Sequence, residues 1–300
     1  MVLSEAGRIK GDSNMGKRSA LPKHIHTLDS VLKMTRPSAI ITYIILIFVA
    51  FLSTGDLPST GILSATLIAV LSAAAGGFLL NDYYDLYIDK INRPDRPLPA
   101  GKITPAAVWV FSLFFYAVSI WAASSLPLVT FIFISGNLFL LFLYATTLKK
   151  VGFIGNIAVA YLTASVFILT TSVVGDIAAG AVPAALIFLY MGALEVLKDM
   201  EDVKGDFKFG VRTLPLTHKD LGKYVALAFM ALTIALSPIP YYLEIFSINY
   251  LILILIVDVL LALLMRSLWR DSSLSSVIFY VRRIKASIVL SMAAFILGVL

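Results

Sequence analysis

The chain has 300 residues, 59% of them hydrophobic and 14% charged, with a mean hydropathy of +0.92; a water-soluble domain needs far more polar surface, so the sequence belongs in a bilayer. Its formal charge of +6 would suit nucleic acid, but most cations lie in turns between apolar blocks, where positive charge marks cytoplasmic loops. The absence of cysteine excludes disulfides, thiolate metal sites and a cysteine nucleophile.

Residues 1–26 carry Arg8, Lys10, Lys17, Arg18 and Lys23 without an apolar core. That is not a secretory signal peptide and reads as a basic, lipid-facing tail. Nine apolar blocks follow, near residues 37–54, 61–84, 105–124, 126–146, 153–175, 178–198, 222–243, 248–268 and 284–300. Blocks of roughly 20 residues match a helix crossing about 30 Å of hydrocarbon, and not the short alternating strands of a membrane barrel. The expected fold is an all-α membrane bundle of nine transmembrane helices around a central cavity, forming a single domain over residues 27–300.

The turns after blocks two, four, six and eight hold the basic residues: Lys90, Arg93, Arg96 and Lys102, then Lys149 and Lys150, then Lys204, Lys208, Arg212, Lys219 and Lys223, then Arg266, Arg270, Arg282, Arg283 and Lys285. The alternate turns hold only Asp56, Asp176 and Glu244. The positive-inside rule therefore predicts a multi-pass protein of the cell membrane with a cytoplasmic N-terminus. Thr104-Pro105 reads as an N-cap with proline at the first helical position. Ser237-Pro238-Ile239-Pro240 kinks or ends the seventh block, and the small residues Ala73 to Gly77 permit close helix packing.

Block two ends in Asn81-Asp82-Tyr83-Tyr84-Asp85-Leu86-Tyr87-Ile88-Asp89, and block six in Lys198-Asp199-Met200-Glu201-Asp202-Val203-Lys204-Gly205-Asp206. The differences 199 − 82, 202 − 85 and 206 − 89 are all 117, so each cluster places aspartates at i, i+3 and i+7, on one face if the helix continues. Arg96-Pro97-Leu98-Pro99 and Arg212-Thr213-Leu214-Pro215, 116 apart, extend the match and suggest an internal duplication. Both clusters end even-numbered blocks, so both arrive at the cytoplasmic face. Six carboxylates at two helix C-termini require something cationic between them. A solvated helix end would explain one cluster but not two in register. Oxygen donors without cysteine or histidine favour Mg²⁺ with a phosphate as co-ligand, and the helical spacing is not that of an EF-hand. Arg93, Arg96, Lys149, Lys150, Lys198 and Arg212 are placed to clamp a diphosphate.

At these residues the chain resembles the UbiA superfamily of intramembrane prenyltransferases. Its first motif, Asn-Asp-x-x-Asp-x-x-x-Asp, is matched by Asn81, Asp82, Asp85 and Asp89 and runs on through Asn92 to Gly101; its second, Lys-Asp-x-x-Asp-x-x-x-Asp, is matched by Lys198, Asp199, Asp202 and Asp206. Within it, the second motif with Gly210 and Thr213-Leu214-Pro215, and Gly155-Asn156-Ile157-Ala158-Val159-Ala160, look most like the digeranylgeranylglyceryl phosphate synthases of archaeal ether-lipid synthesis. Leu194 departs from the arginine that members often carry there.

The resemblance implies transfer of a polyprenyl group from its diphosphate to geranylgeranylglyceryl phosphate. A quinone precursor, 4-hydroxybenzoate or dihydroxynaphthoate, is the alternative acceptor. Two Mg²⁺ ions are expected on Asn81, Asp82, Asp85, Asp89, Asp199, Asp202 and Asp206, with Asp85, Asp89, Asp202 and Asp206 at the centre of catalysis. Tyr83, Tyr84, Tyr87, Tyr144 and Tyr161 are candidates to stabilise an allylic cation, and Arg36 to receive an anionic acceptor group. Asp258 stands alone in block eight, and His24, His26 and His218 have no metal-ligand spacing. A cation-coupled transporter would also carry repeated intramembrane carboxylates, but near the midplane and not at helix ends beside basic turns.

Overall fold

The computed structural model describes residues 23–55, 57–203 and 220–300, and every regular element among them is a helix. Asp56, Asp206, Gly210, Arg212, Thr213-Leu214-Pro215, His218 and most of the basic tail lie outside the described residues. In chain order the helices are α1 (Lys23–Met34), α2 (Pro37–Leu52), α3 (Thr60–Tyr84), α4 (Leu86–Asn92), α5 (Pro105–Ala123), α6 (Leu128–Thr146), a 3₁₀ turn (Leu148–Lys150), α7 (Phe153–Val173), α8 (Ile177–Glu201), α9 (Leu221–Leu236), α10 (Ile239–Tyr242), α11 (Ile248–Arg270) and α12 (Leu274–Val299).

Among the described residues seven helical spans are long and apolar enough to cross a membrane, with α9 and α10 counted as one. An eighth is added if α1 and α2, bent by 52° at their junction, form one crossing. The ninth apolar block is the second half of α12. That helix also contains Arg282, Arg283 and Lys285, which the sequence had placed in the preceding turn. Helix propensity and the buried neighbours Val281 and Ile284 carry the helix through these cations, of which Arg282 and Arg283 are exposed.

The predicted punctuation is present. Thr104 accepts from the amide of Ala107 at 3.2 Å with Pro105 at the first helical position. α9 ends at Leu236, and Ser237 and Pro238 turn the chain into the short α10. Along the small-residue face of α3, the Ser112 hydroxyl donates to the Gly76 carbonyl at 2.8 Å and Ser119 donates to the Ala69 carbonyl at 2.7 Å. A Cβ at Gly76 would run into the Tyr116 ring, so glycine is what lets α3 and α5 approach.

α3 and α8 each have 25 residues, and both their first and last residues are 117 apart. Each is followed by an aspartate in nearly the same conformation, Asp85 at φ −87°, ψ 0° and Asp202 at φ −91°, ψ 5°. The first aspartate triad therefore does not run along one uninterrupted helix, and α8 ends just before Asp202. A ψ near zero re-aims the chain, and aspartate, whose side chain competes for backbone groups, is a poor helix interior residue. After the break α4 restarts the first cluster, with the Asp89 amide donating to the Asp85 carbonyl at 2.8 Å.

The main apolar core is shared by α2, α3, α5, α6, α7, α8, α9, α11 and α12, with Phe51, Phe167, Leu197 and Tyr250 essentially sealed. A smaller core of Val31, Met34, Leu79, Leu98, Ile103 and Val108 packs α1 and the loop after α4 against the ends of α3 and α5.

Candidate active site

The first aspartate cluster forms where α3 leaves the main core. Asp82 is only 4% exposed and accepts from Arg36 Nη2 at 3.0 Å and from Arg96 Nη1 at 3.2 Å. Arg36 reaches it from a left-handed backbone (φ 54°, ψ 73°), with its guanidinium 4.6 Å from the centre of the Phe78 ring. Such a conformation costs about 1–3 kcal/mol for a residue other than glycine. Pro37 disfavours the helical alternative at residue 36, and the Asp82 and Phe78 contacts offset the strain.

Arg96 also donates to Asp89 at 2.6 Å, and Leu98 and Ile103, sunk in the small core, hold the loop that carries it. Burial pushes the Asp89 carboxyl above its ordinary range, and Arg96 pulls it part of the way back. Asp85 accepts from Lys149 Nζ at 2.5 Å and from Asn81 Nδ2 at 2.7 Å. Each carboxylate of this cluster thus meets a cation of the chain itself.

The second cluster is more open. Asp199 accepts from Asn156 of α7 at 3.0 Å, and the Asp202 side chain, 35% exposed, stands 3.6 Å from Arg93. Arg93 therefore ties the first motif to the second, and the two clusters face one another. Lys198 donates to both oxygens of Glu195 at 2.8 Å on its own helix.

The cation required between the clusters is therefore supplied in part by Arg36, Arg93, Arg96 and Lys149. Of the predicted phosphate clamps, Lys150 is exposed beside Lys149, and Arg212 and the predicted ligand Asp206 lie outside the described residues. Among the described residues no three acidic or histidine groups gather closely enough to hold an ion. Their oxygens are turned toward arginine and lysine. The donor set still fits a hard divalent ion: it consists of oxygens, and the buried Asn81 Oδ1 has no hydrogen-bond partner, an unsatisfied acceptor that a cation would satisfy.

The candidate tyrosines do not all gather here. Tyr144, half-buried on α6, lies within electrostatic reach of Asp85, Glu195, Asp199 and Arg36. Tyr83 stacks on Trp109 at 5.8 Å and packs against the small core. Tyr87 is 69% exposed and carries Lys90 over its ring, while Tyr84 and Tyr161 are also exposed. Sequence spacing did not distinguish these surroundings, which follow from helix register and packing.

Beside the clusters lies an apolar cavity of about 800 Å³ between α2, α8, α9, α11 and α12. It follows α8 from Leu186 to Lys198, a length of roughly 18 Å at the rise of an α-helix. Glu195, Lys198 and Lys285 line one end, and Lys285 lies within electrostatic reach of the other two. Asp258 lines its wall, buried, and accepts from the Ser237 hydroxyl at 2.6 Å.

Sequence reasoning missed Glu195, Lys285, Asn156 and Phe78, and Tyr43 of α2, which lines the cavity within electrostatic reach of Glu195. Glu195 had a readable signal, an acid inside an apolar helix three residues before Lys198. Asn156 was visible as part of a motif but had no partner until α7 met α8. Phe78 had no signal, since its role depends on the unusual backbone of Arg36.

Residues 40–296 match the UbiA prenyltransferase family. The chain is 33% identical over 274 residues to the digeranylgeranylglyceryl phosphate synthase of Methanothermobacter thermautotrophicus, covering 90% of this chain and 96% of that one. It is 35% identical over 237 residues to the enzyme of the same name from Methanosarcina mazei, covering 77% and 80%. A solved structure described as digeranylgeranylglyceryl phosphate synthase in membranes superposes with a TM-score of 0.76 at 30% identity, over 91% of this chain and 98% of that one. The UbiA homologue of Archaeoglobus fulgidus bound to GPP and Mg²⁺ shares the fold, with a TM-score of 0.65 at 17% identity over 89% and 99%.

Proposed function

Since this chain belongs to the UbiA prenyltransferase family, we propose that it transfers a geranylgeranyl group from its diphosphate to geranylgeranylglyceryl phosphate in archaeal-type ether-lipid synthesis. It is an intramembrane prenyltransferase. The observation that carries the proposal is the pairing of two aspartate-bearing helix ends, 117 residues apart and joined by Arg93 and Asp202, at one end of an apolar cavity roughly 18 Å long. A charged head and a long apolar tail need those two environments side by side.

In this reading Asn81, Asp82, Asp85, Asp89, Asp199, Asp202 and Asp206 would hold two Mg²⁺ ions, with the buried, unpaired Asn81 Oδ1 supporting the assignment. The ions supply charge neutralisation to the departing diphosphate. Arg93, Arg96, Lys149, Lys150, Lys198 and Arg212 bind its oxygens, several of them exchanging an aspartate for a phosphate. Tyr144 is the tyrosine best supported as a neighbour of the allylic carbon, by its reach to both clusters. Arg36 orients Asp82. The apolar cavity receives prenyl chain and excludes water.

The same reading takes the chain as a single domain over residues 27–300 built on an internal repeat, which the matched bounds of α3 and α8 support. It has nine crossings, with α12 the ninth, in the cell membrane. The N-terminus and active site face the cytoplasm, supported by the basic turns. Geranylgeranylglyceryl phosphate, 4-hydroxybenzoate and dihydroxynaphthoate, each supplied with geranylgeranyl diphosphate and Mg²⁺, test the acceptor. The glyceryl phosphate is expected to give the highest kcat/KM and stoichiometric pyrophosphate. Preferred transfer to either aromatic would overturn it.

A further inference from the structure

We propose that Glu195 takes the proton from the acceptor's hydroxyl as the new ether bond forms. The inference rests on the reading of the acceptor as an alcohol. An alcohol holds its proton firmly, and in a cavity lined mainly by apolar side chains that proton needs a carboxylate or another base at the reacting oxygen.

Two carboxyl groups line the cavity among the described residues, Glu195 and Asp258. Asp258 is held through Oδ2 by Ser237, which follows the far end of α9 from Leu221, and its Oδ1 is buried without a hydrogen-bond partner. Glu195 is at the end where the cavity meets the aspartate clusters, one helical turn before Asp199 and only 8% exposed. The groups facing it come from several elements: Lys198 on its own helix, Tyr43 of α2, Tyr144 of α6 and Lys285 of α12. It therefore stands between the apolar space that takes the prenyl chains and the carboxylates assigned to the donor.

Lys198 links the two events. Its ammonium grips both Glu195 oxygens at 2.8 Å, and the same side chain is assigned to the donor diphosphate. Arrival of the diphosphate draws Lys198 away and turns the carboxylate lone pairs to the acceptor. A lone pair of the hydroxyl oxygen then attacks the allylic carbon, and the carbon–oxygen bond to the diphosphate breaks, with its electron pair leaving on the diphosphate. The hydroxyl proton passes to a Glu195 oxygen. The products are the ether, pyrophosphate and a neutral carboxylic acid, with charge conserved.

The test uses the full-length protein in membranes, with Glu195→Gln and Glu195→Asp, and two acceptors: the alcohol, and its analogue with a thiol in place of the reacting hydroxyl. A thiol ionises in water without help, so it needs no base. Glu195→Gln is expected to lower transfer to the alcohol by roughly 10²–10⁴-fold and transfer to the thiol by less than about 10-fold. Glu195→Asp is expected to recover part of the alcohol activity. Equal losses on both acceptors, or a Glu195→Gln variant within about 10-fold of wild type on the alcohol, would overturn the role. A wild-type enzyme that ignores the alcohol and prenylates an aromatic would instead overturn the acceptor reading, and Glu195's role with it.

Discussion

The two aspartate clusters have the same spacing and end helices of the same length, yet the chain treats them differently. Asp82 and Asp89 of the first are 4% and 5% exposed and are locked by Arg36 and Arg96, while Asp85 is held by Lys149. In the second, Asp202 is about a third exposed and meets Arg93 only at 3.6 Å. The positions that begin α2 and α7 differ in parallel. Arg36 and Gly152 are 116 apart and both adopt positive φ, 54° and 57°, but only the first carries a cation. Two helix ends alike in length and aspartate spacing thus form one half that is closed by the protein's own charges and one half left more open.

The largest effect expected is on chemistry and is the same in both halves. Asp85→Ala and Asp202→Ala should each lower kcat by roughly 10²–10³-fold or more without unfolding the bundle, measured by pyrophosphate release and circular dichroism. Retained activity in either would break the two-metal reading.

The next effects separate the halves. Arg36→Ala removes one of two arginines from a buried carboxylate and should destabilise the protein by about 2–3 kcal/mol in detergent unfolding. Asn156→Ala removes a neutral donor from Asp199 and should cost about 1 kcal/mol. Equal losses would mean that the two clusters are equally closed. Saturating Mg²⁺ with diphosphate, at about 100-fold over its Kd, should stabilise wild type by about 2.7 kcal/mol, and chelation should remove that gain. The smallest effect belongs to the pair that joins the halves. Arg93→Ala should change stability by about 0.5 kcal/mol or less, because both partners are substantially exposed, while raising the donor KM.

Much of the site was legible because its chemistry is dense in charge and the surrounding sequence is not. Asn81, Asp82, Asp85, Asp89, Lys198, Asp199 and Asp202 stand out against apolar blocks, and the constant offset showed that they belong together. The tyrosines were not legible in the same way. Tyr87 and Tyr144 look equivalent in a list of aromatics near the clusters, but one faces outward and the other lies near both carboxylate groups. Glu195 was visible as a residue and silent as a role, since its meaning depends on the cavity beside it.

By itself the sequence determined the membrane setting, the helical blocks, the caps at Thr104 and Ser237, and the two registered aspartate clusters. These follow from local rules: hydrocarbon thickness fixes block length, and charge is tolerated only where a helix leaves the apolar phase. Only the tertiary structure decided which cation meets which aspartate, where the helices break at Asp85 and Asp202, and that Glu195, Lys198 and Lys285 share one end of a cavity. Those outcomes depend on contacts between residues up to about a hundred positions apart, such as Arg93 with Asp202, and on backbone angles such as that of Arg36, which no local pattern encodes.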